Sequence, residues 1–166
     1  NEARLARIED QASRRSTNSI TVPTDYATIQ EAVDAASEGA NIFVNEGTYT
    51  EDVVVSTAGL KLQARVGVLL IGSFMLTEGA DNVTIKKISI QLPEGGEWAI
   101  FENGVSGGQV VQNTIKAEPA FYAYQQSGIL MRSCDGFTVR DNVVKGVDWA
   151  IVFATDTDYG NGTCNN

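Results

Sequence analysis

Three stretches of the sequence share one pattern: Asn82-Val83-Thr84-Ile85-Lys86-Lys87-Ile88-Ser89-Ile90, Gly107-Gly108-Gln109-Val110-Val111-Gln112-Asn113-Thr114-Ile115 and Gly136-Phe137-Thr138-Val139-Arg140-Asp141-Asn142-Val143-Val144. In each stretch an apolar residue is followed three positions later by an apolar residue or an asparagine, and two positions after that by another apolar residue. Gly59-Leu60-Lys61-Leu62 fits the first half of the pattern. The sequence therefore contains a weak internal repeat.

The length of the repeat identifies the architecture. Aligned apolar residues recur after 23, 25 and 29 residues, and a second series steps by 29 and 22 residues. Repeats of this length that contain short strands and no helix are too short for propeller blades and do not fit stacked helix pairs. They fit an all-β parallel β-helix, in which like strands stack about 4.8 Å apart around a continuous interior. The two series are Leu62, Ile85, Val110 and Val139, and Ile100, Ile129 and Ile151.

One helix is predicted ahead of the repeat, over about residues 28–37. Thr28 and Glu31 have the spacing of a capping box, and Gly39 stands where a left-handed helix exit is expected. After the helix, three apolar strings are interpreted as the sides of the first turn: Ile42–Val44, Val53–Val55 and Leu60–Leu62. The longer stretch Val66–Leu76 is interpreted as core strand.

Composition excludes several classes of function. The chain has 166 residues, which suits one globular domain plus an appendage. Its formal net charge is -9, which has the wrong sign for a nucleic-acid or anionic-lipid partner. The absence of histidine excludes histidine-based catalysis and leaves no ligands for a typical zinc site. No apolar stretch is long enough to cross a bilayer.

The first 19 residues are predicted to form a separate unit, an N-terminal helical arm with a polar linker, and the β-helix domain is predicted over residues 20–166. Leu5, Ile8 and Ala12 fall at the narrow spacing of a coiled-coil seam. Three interpretations stay open: the end of a longer coiled stalk, an arm that docks on a neighbouring subunit, and a helix packed on its own domain. We expect a homo-oligomer held partly through these three residues.

The region before the repeat resembles a known family. Ile20–Val22, Asp25–Ala36 and Ile42–Val55 are similar to the first part of the right-handed parallel β-helices of the pectin-lyase-like superfamily. The resemblance implies that the helix plugs the open end of the solenoid, which would otherwise be an aggregation-prone edge. It also implies that Gly47 and Tyr49 form a turn after the second strand, and that Asn113 and Asn142 form a structural asparagine ladder inside a turn.

Members of that superfamily include pectin-degrading enzymes, phage tailspikes, surface adhesins and virion structural proteins, so the fold alone does not give the activity. The aspartate and histidine motifs of the esterases and polygalacturonases that it includes do not occur in this sequence. Asp135, Asp141, Arg132 and Arg140 could be assembled into a calcium-lyase set, but they are better interpreted as polar turn and outward strand positions. We therefore expect a non-enzymatic protein. The alternative is a lyase or hydrolase of acidic polysaccharide.

Three further features are candidates for binding or stability. Phe121, Tyr122 and Tyr124 lie in the longest interval between repeats and suit a sugar-stacking or protein-contact patch, or else close the core. Cys134 and Cys164 lie 30 residues apart, about one turn, so a disulfide is possible. Asp156 and Asp158 resemble part of a calcium loop without its closing glutamate, so calcium is the one cofactor that the sequence suggests.

Together these features predict a structural or receptor-binding subunit of a virion or cell-surface appendage, such as a turret, spike, fibre or adhesin. The expected partners are further copies of the chain, other virion or surface proteins, and a glycan or host receptor. The expected location is extracellular, on a virion or on a cell surface.

Overall fold

The chain folds as a parallel β-solenoid in the computed structural model, which describes residues 18–117 and 125–154. Its strands are numbered in chain order and form three sheets, in which every neighbouring pair is parallel. Sheet A contains β1 (Ser19–Val22), β2 (Asn41–Val44), β5 (Lys61–Ala64), β8 (Thr84–Lys86), β11 (Gln109–Val111) and β14 (Thr138–Arg140). Sheet B contains β3 (Gly47–Thr50), β6 (Val68–Ile71), β9 (Ser89–Leu92), β12 (Thr114–Ala117) and β15 (Val143–Lys145). Sheet C contains β4 (Val53–Val55), β7 (Phe74–Leu76), β10 (Trp98–Asn103), β13 (Ser127–Arg132) and β16 (Trp149–Ala154).

Each turn of the solenoid takes one strand from sheet A, then one from sheet B, then one from sheet C. The predicted register is confirmed on two sheets. On sheet A, Leu62 pairs with Ile85, Ile85 with Val110 and Val110 with Val139. On sheet C, Ile100 pairs with Ile129, and Ile129 with Ile151. The repeat found in the sequence is thus one strand of sheet A followed by one strand of sheet B.

The first turn differs from its predicted form. Its second side is β3, which the sequence analysis interpreted as a turn around Gly47 and Tyr49. Tyr49 is buried, and its hydroxyl donates a hydrogen bond to the carbonyl oxygen of Asn45 at 3.0 Å. The predicted third side, Leu60–Leu62, belongs to the next turn, because Lys61–Ala64 stacks on Asn41–Val44.

The long apolar stretch from Val66 to Leu76 contains two strands, β6 and β7, rather than one. The chain bends between them at Gly72 and Ser73, where Gly72 has φ +144°. A Cβ atom at this position would collide with the carbonyl oxygen of Glu51 on the preceding turn. Gly72 is therefore needed for close stacking of two successive turns.

The solenoid begins under a short helix, α1 (Ile29–Ala35), in the position that the sequence predicts. Thr28 and Glu31 make the predicted capping box, and the carboxylate of Glu51 accepts hydrogen bonds from the backbone N–H groups of Ile29 and Gln30 at 3.0 and 2.9 Å. The predicted end of the helix was too late, because Ala36 is already extended and caps it. Gly39 has φ +76° but lies in the connection to β2.

The helix also closes the edge of sheet C. Strand β4 is the first strand of that sheet, so one side of its backbone has no neighbouring strand. The side-chain amide of Gln30 supplies both missing partners: its Oε1 accepts from the N–H of Val54 at 2.7 Å, and its Nε2 donates to the carbonyl oxygen of Val54 at 3.1 Å. One glutamine thus takes the place of a neighbouring strand at this residue.

The core is one continuous column of apolar side chains inside the three sheets. Alternate residues of each strand point inward, so Leu62, Ile85 and Val110 are fully buried on successive turns of sheet A. The predicted N-terminal arm, including Leu5, Ile8 and Ala12, lies outside the described residues and stays a prediction.

Candidate functional site

A groove with a volume of about 380 Å³ runs beside the first turns of sheet C. One wall is the outer side of β4 and β7, represented by Val54 and Met75, and the other wall is the loop that connects β9 to β10. The polar lining comes from Asp52, Ser73 and Glu97, and the aromatic lining from Trp98. The groove thus places apolar, acidic and aromatic side chains on one concave surface.

The apolar wall follows from the register of sheet C. Val54 pairs with Met75, and Met75 pairs with Phe101 on the next strand. The neighbours of these residues along each strand point into the core, so the paired set faces outward. Leu130 and Val152 continue the same row on later turns. Sheet C therefore carries an apolar stripe along the outside of the solenoid.

The aromatic side chain at the end of the groove is held in place by contacts with its own strand. The ring centroids of Trp98 and Phe101 lie 5.0 Å apart in a tilted arrangement. The guanidinium carbon of Arg132, on the next turn, lies 5.7 Å from the centroid of the Phe101 ring. Stacked aromatic and cationic groups of this kind restrict one another's rotamers. Trp98 is thus part of a packed cluster, half-buried but open to the groove.

Two carboxylates lie in the same groove. Asp52 follows β3 at the corner before β4, and its Oδ1 accepts a hydrogen bond from the hydroxyl of Ser73 at 2.7 Å. Glu97 directly precedes Trp98 at the end of the loop. An aromatic face beside carboxylate oxygens offers a sugar both an apolar platform and acceptors for its hydroxyl groups. The groove therefore has the chemistry of a carbohydrate-binding surface.

The predicted ladder residues Asn113 and Asn142 come together at the corner between sheets A and B. The Oδ1 of Asn142 accepts from the backbone N–H of Asn113 at 2.8 Å and from its Nδ2 at 3.1 Å. The Oδ1 of Asn113 accepts in turn from the backbone N–H of Ile88 at 2.9 Å. These side chains hold three successive turns together, so their role is structural.

Most of the other predicted site residues lie outside the described part of the chain. These are Phe121, Tyr122, Tyr124, Asp156, Asp158 and Cys164. The three aromatics belong to the connection between β12 and β13. Strands β12 and β13 pair with β9 and β10, the two strands that flank the groove loop. Ala117 pairs with Leu92, and Ser127 pairs with Trp98. Cys134 is buried and is not a free thiol, while its pairing with Cys164 stays a prediction.

The four charged residues that could form a lyase-like set are not assembled into one site. Arg140 and Asp141 form an exposed salt bridge at the end of β14, on sheet A. Arg132 lies on sheet C. The backbone of Asp135 forms an isolated β-bridge with the backbone of Ser106, at the corner between sheets C and A. Within residues 18–117 and 125–154, no three carboxylate or cysteine side chains form a group that could hold a metal ion.

One buried carboxyl group lies in the core next to these surfaces. Glu102 on β10 is fully buried, and neither of its carboxyl oxygens has a hydrogen-bond partner. Its neighbours in register are Leu76 on one side and Met131 on the other. Burial raises the pKa of Glu102 from 4.5 to about 8, so this side chain is mostly protonated and neutral at pH 7.

The first groove has no local signature in the sequence. Trp98, Met75 and Val54 lie far apart in sequence and share no short motif, so only the pairing of three successive turns brings them together. One signal was available, however. The predicted anchor Ile100 points inward, so Phe101 must face outward and Glu102 inward.

Comparison of the chain with protein-family models, with curated proteins and with solved structures gave no match. In the part of the chain that the structure describes, no helix has the length and apolar character needed to span a bilayer.

Proposed function

We propose that this protein is a non-catalytic, receptor-binding subunit of an extracellular appendage, such as a turret, spike, fibre or adhesin on a virion or cell surface. In this proposal the solenoid is a rigid shaft, further copies of the chain assemble beside it, and the groove at Trp98 binds a sugar of the receptor. The observation that carries the proposal is the aromatic groove of about 380 Å³ on the side of a parallel solenoid.

The finer assignment, to the right-handed β-helices of the pectin-lyase-like superfamily, is part of the same proposal. Two features support it: a capping helix on the first turn, and an asparagine column at the corner between sheets A and B. A solenoid suits an appendage because its turns contact only their neighbours and the shaft can be lengthened by adding turns.

The apolar and acidic side chains of the groove wall indicate the type of sugar. The apolar faces of Val54, Met75 and Trp98 match the C–H face of a pyranose ring. The carboxylates of Asp52 and Glu97 accept hydrogen bonds from hydroxyl groups and repel an anionic sugar at close range. We therefore expect a neutral oligosaccharide in this groove.

The two tryptophans of the chain allow a matched test. Titration of the full chain with a panel of neutral oligosaccharides, followed by calorimetry and tryptophan fluorescence, measures binding. Trp98→Ala should weaken binding of a sugar that the unmodified chain binds by about 5- to 30-fold, because stacking of a ring on an aromatic face contributes on the order of 1–2 kcal/mol. Trp149→Ala is the control, since Trp149 is exposed on the last described turn and does not line the groove.

The result decides between a specific site and a non-specific surface. Equal losses in the two variants would contradict the proposal, and so would the absence of binding to every sugar of the panel. Thermal unfolding of both variants separates loss of binding from loss of folding. A folded Trp98→Ala protein that binds the sugar as tightly as the unmodified chain also contradicts the proposal.

A second function is favoured by one observation, the presence of two carboxylates in the same groove. Glycoside hydrolases use a pair of Asp or Glu residues on either side of the bond that they cleave. Asp52 and Glu97 would be that pair if the protein acts on polysaccharide. Release of reducing sugar that is abolished by Glu97→Gln, with binding retained, would replace the non-catalytic proposal with this one.

A further inference from the structure

A second groove, with a volume of about 230 Å³, crosses the outer face of sheet A. Side chains from five consecutive strands line it, from Asn41 on β2 to Arg140 on β14. It therefore spans four strand spacings, or about 19 Å at about 4.8 Å each. Strands run across the solenoid and stack along its axis, so the groove follows the axis.

The electrostatic character of this groove is opposite to that of the chain. Three of its residues are cationic, Lys61, Lys86 and Arg140, although the formal charge of the protein is -9. None of the six strands of sheet A contains an aspartate or a glutamate. Arg140 forms a salt bridge with Asp141, whereas Lys61 and Lys86 have no carboxylate partner among the described residues. Sheet A thus presents a local positive surface on an acidic protein.

The neutral polar side chains of the groove are available to a ligand. Asn41, Gln63, Thr84 and Gln109 make no side-chain hydrogen bond with any residue that the structure describes. Four other amides of the chain behave differently. Those of Gln30 and Gln126 bond to the backbone of neighbouring turns, as do those of the ladder asparagines. The groove therefore combines two free ammonium groups with free amide and hydroxyl groups.

We propose that this second groove binds an anionic polysaccharide chain that runs along the solenoid axis. Lys61 and Lys86 lie on adjacent strands, β5 and β8, and bind the sulfate or carboxylate groups of the chain. The amides and Thr84 bind its hydroxyl groups, to which they can both donate and accept. Arg140 extends the positive surface at the far end once it exchanges Asp141 for the ligand.

Other polyanions fit less well. A nucleic acid gains its affinity from many neutralised phosphates, and two free ammonium groups on a protein of charge -9 are too few for that. Its bases also need aromatic platforms, and Phe43 is the single aromatic residue that lines the groove. A small free anion would use one end of the surface and leave the row of amides without a role.

Two pairs of lysines provide the test. Calorimetry of the full chain at low ionic strength uses three size-matched probes: dextran sulfate for sulfate groups, hyaluronan for carboxylates and neutral dextran as the uncharged reference. Lys61→Gln/Lys86→Gln should weaken binding of an anionic probe about tenfold or more. The control is Lys116→Gln/Lys145→Gln, which removes the same charge from adjacent strands of sheet B.

Each outcome supports or contradicts the inference. Tighter binding of either anionic probe than of dextran, lost in the sheet A variant and kept in the sheet B variant, supports it and identifies the anionic group. Equal losses in both variants indicate attraction by net charge alone and contradict it. Failure of both anionic probes to bind contradicts it, as does tighter binding of single-stranded DNA of the same charge. Because Trp98 lies on sheet C, this test is independent of the test of the first groove.

Discussion

Glu102 is the residue at which the solenoid departs furthest from a simple apolar core. On β7, β10 and β13, the remaining inward residues near Glu102 are apolar or serine. The inward residues of β9 and β11 are apolar as well. No titratable side chain of these elements faces the carboxyl group. A carboxylate left alone in such surroundings is strongly destabilised, so the folded protein retains the proton.

This proton makes the stability of the fold depend on pH. The pKa of Glu102 is about 8 when folded and about 4.5 when exposed, so the unfolded chain loses the proton first as the pH rises. The contribution of Glu102 to stability is therefore greatest below pH 4.5 and falls as the pH rises towards 8. Between pH 4.5 and pH 7 the contribution of Glu102 to the free energy of unfolding decreases by about 3 kcal/mol.

We predict that Glu102→Met stabilises the protein at pH 7 by about 2–3 kcal/mol and removes this part of the pH dependence. Methionine matches the neighbours in register, Leu76 and Met131, and has no oxygen that needs a partner. Urea unfolding of both proteins at pH 5, 7 and 8.5 measures the difference. Glu94→Gln, at an exposed position of the groove loop, is the control that removes a charge without changing the core.

A difference between the two proteins that stays constant from pH 5 to pH 8.5 would show that Glu102 does not titrate in this range. A less stable Glu102→Met protein would show that the carboxyl group has a partner that the structure does not contain. Either result would remove the role assigned to the buried proton.

Among the elements, α1 has a larger role than its seven residues suggest. Its capping box was predictable, because Thr28 and Glu31 carry that signal within four residues. The two hydrogen bonds from Gln30 to Val54 were not, because they join residues 24 positions apart and depend on how the helix lies over sheet C. Strand β3 was missed although Thr and Tyr favour strands, because the family resemblance implied a turn at Gly47 and Tyr49.

We predict that Gln30→Ala lowers the free energy of unfolding by about 1–2 kcal/mol and increases self-association. The variant loses the two hydrogen bonds to Val54 and one to Asp34, and it leaves the backbone of an edge strand open to another chain. Urea unfolding and light scattering at increasing protein concentration measure the two effects. Gln63→Ala is the matched control, because Gln63 makes no side-chain hydrogen bond within the described residues. Equal behaviour of the two variants would contradict the edge-closing role.

At the scale of the whole molecule, the sequence predicted the repeat and its register but not the surfaces. Inward positions are predictable because most of them are apolar on successive turns, as Leu62, Ile85 and Val110 are. Outward positions have no such requirement, so the grooves on sheets A and C emerge only when the turns are stacked. The same stacking gives the described part of the chain two unequal ends. The first is closed by α1, and in the second the inward residues Ile151 and Phe153 are 42% and 41% exposed.

This inequality leads to a prediction about local unfolding. In a solenoid each turn is stabilised by its neighbours, and among the described residues the turn β14 to β16 has a neighbouring turn on one side alone. Its inward side chains bury less surface than their partners one turn earlier: Val139 and Val144 are half-buried, whereas Val110 and Ile115 are fully buried. We expect the amides of β14, β15 and β16 to exchange with deuterium at least about tenfold faster than those of β8, β9 and β10.

Hydrogen exchange measured by mass spectrometry on the full chain tests this, with β1 and β2 under α1 as the control end, which should stay protected. Equal protection of the two ends would mean that a partner or another part of the chain covers the last turn, and that the exposed Ile151 and Phe153 are buried in solution.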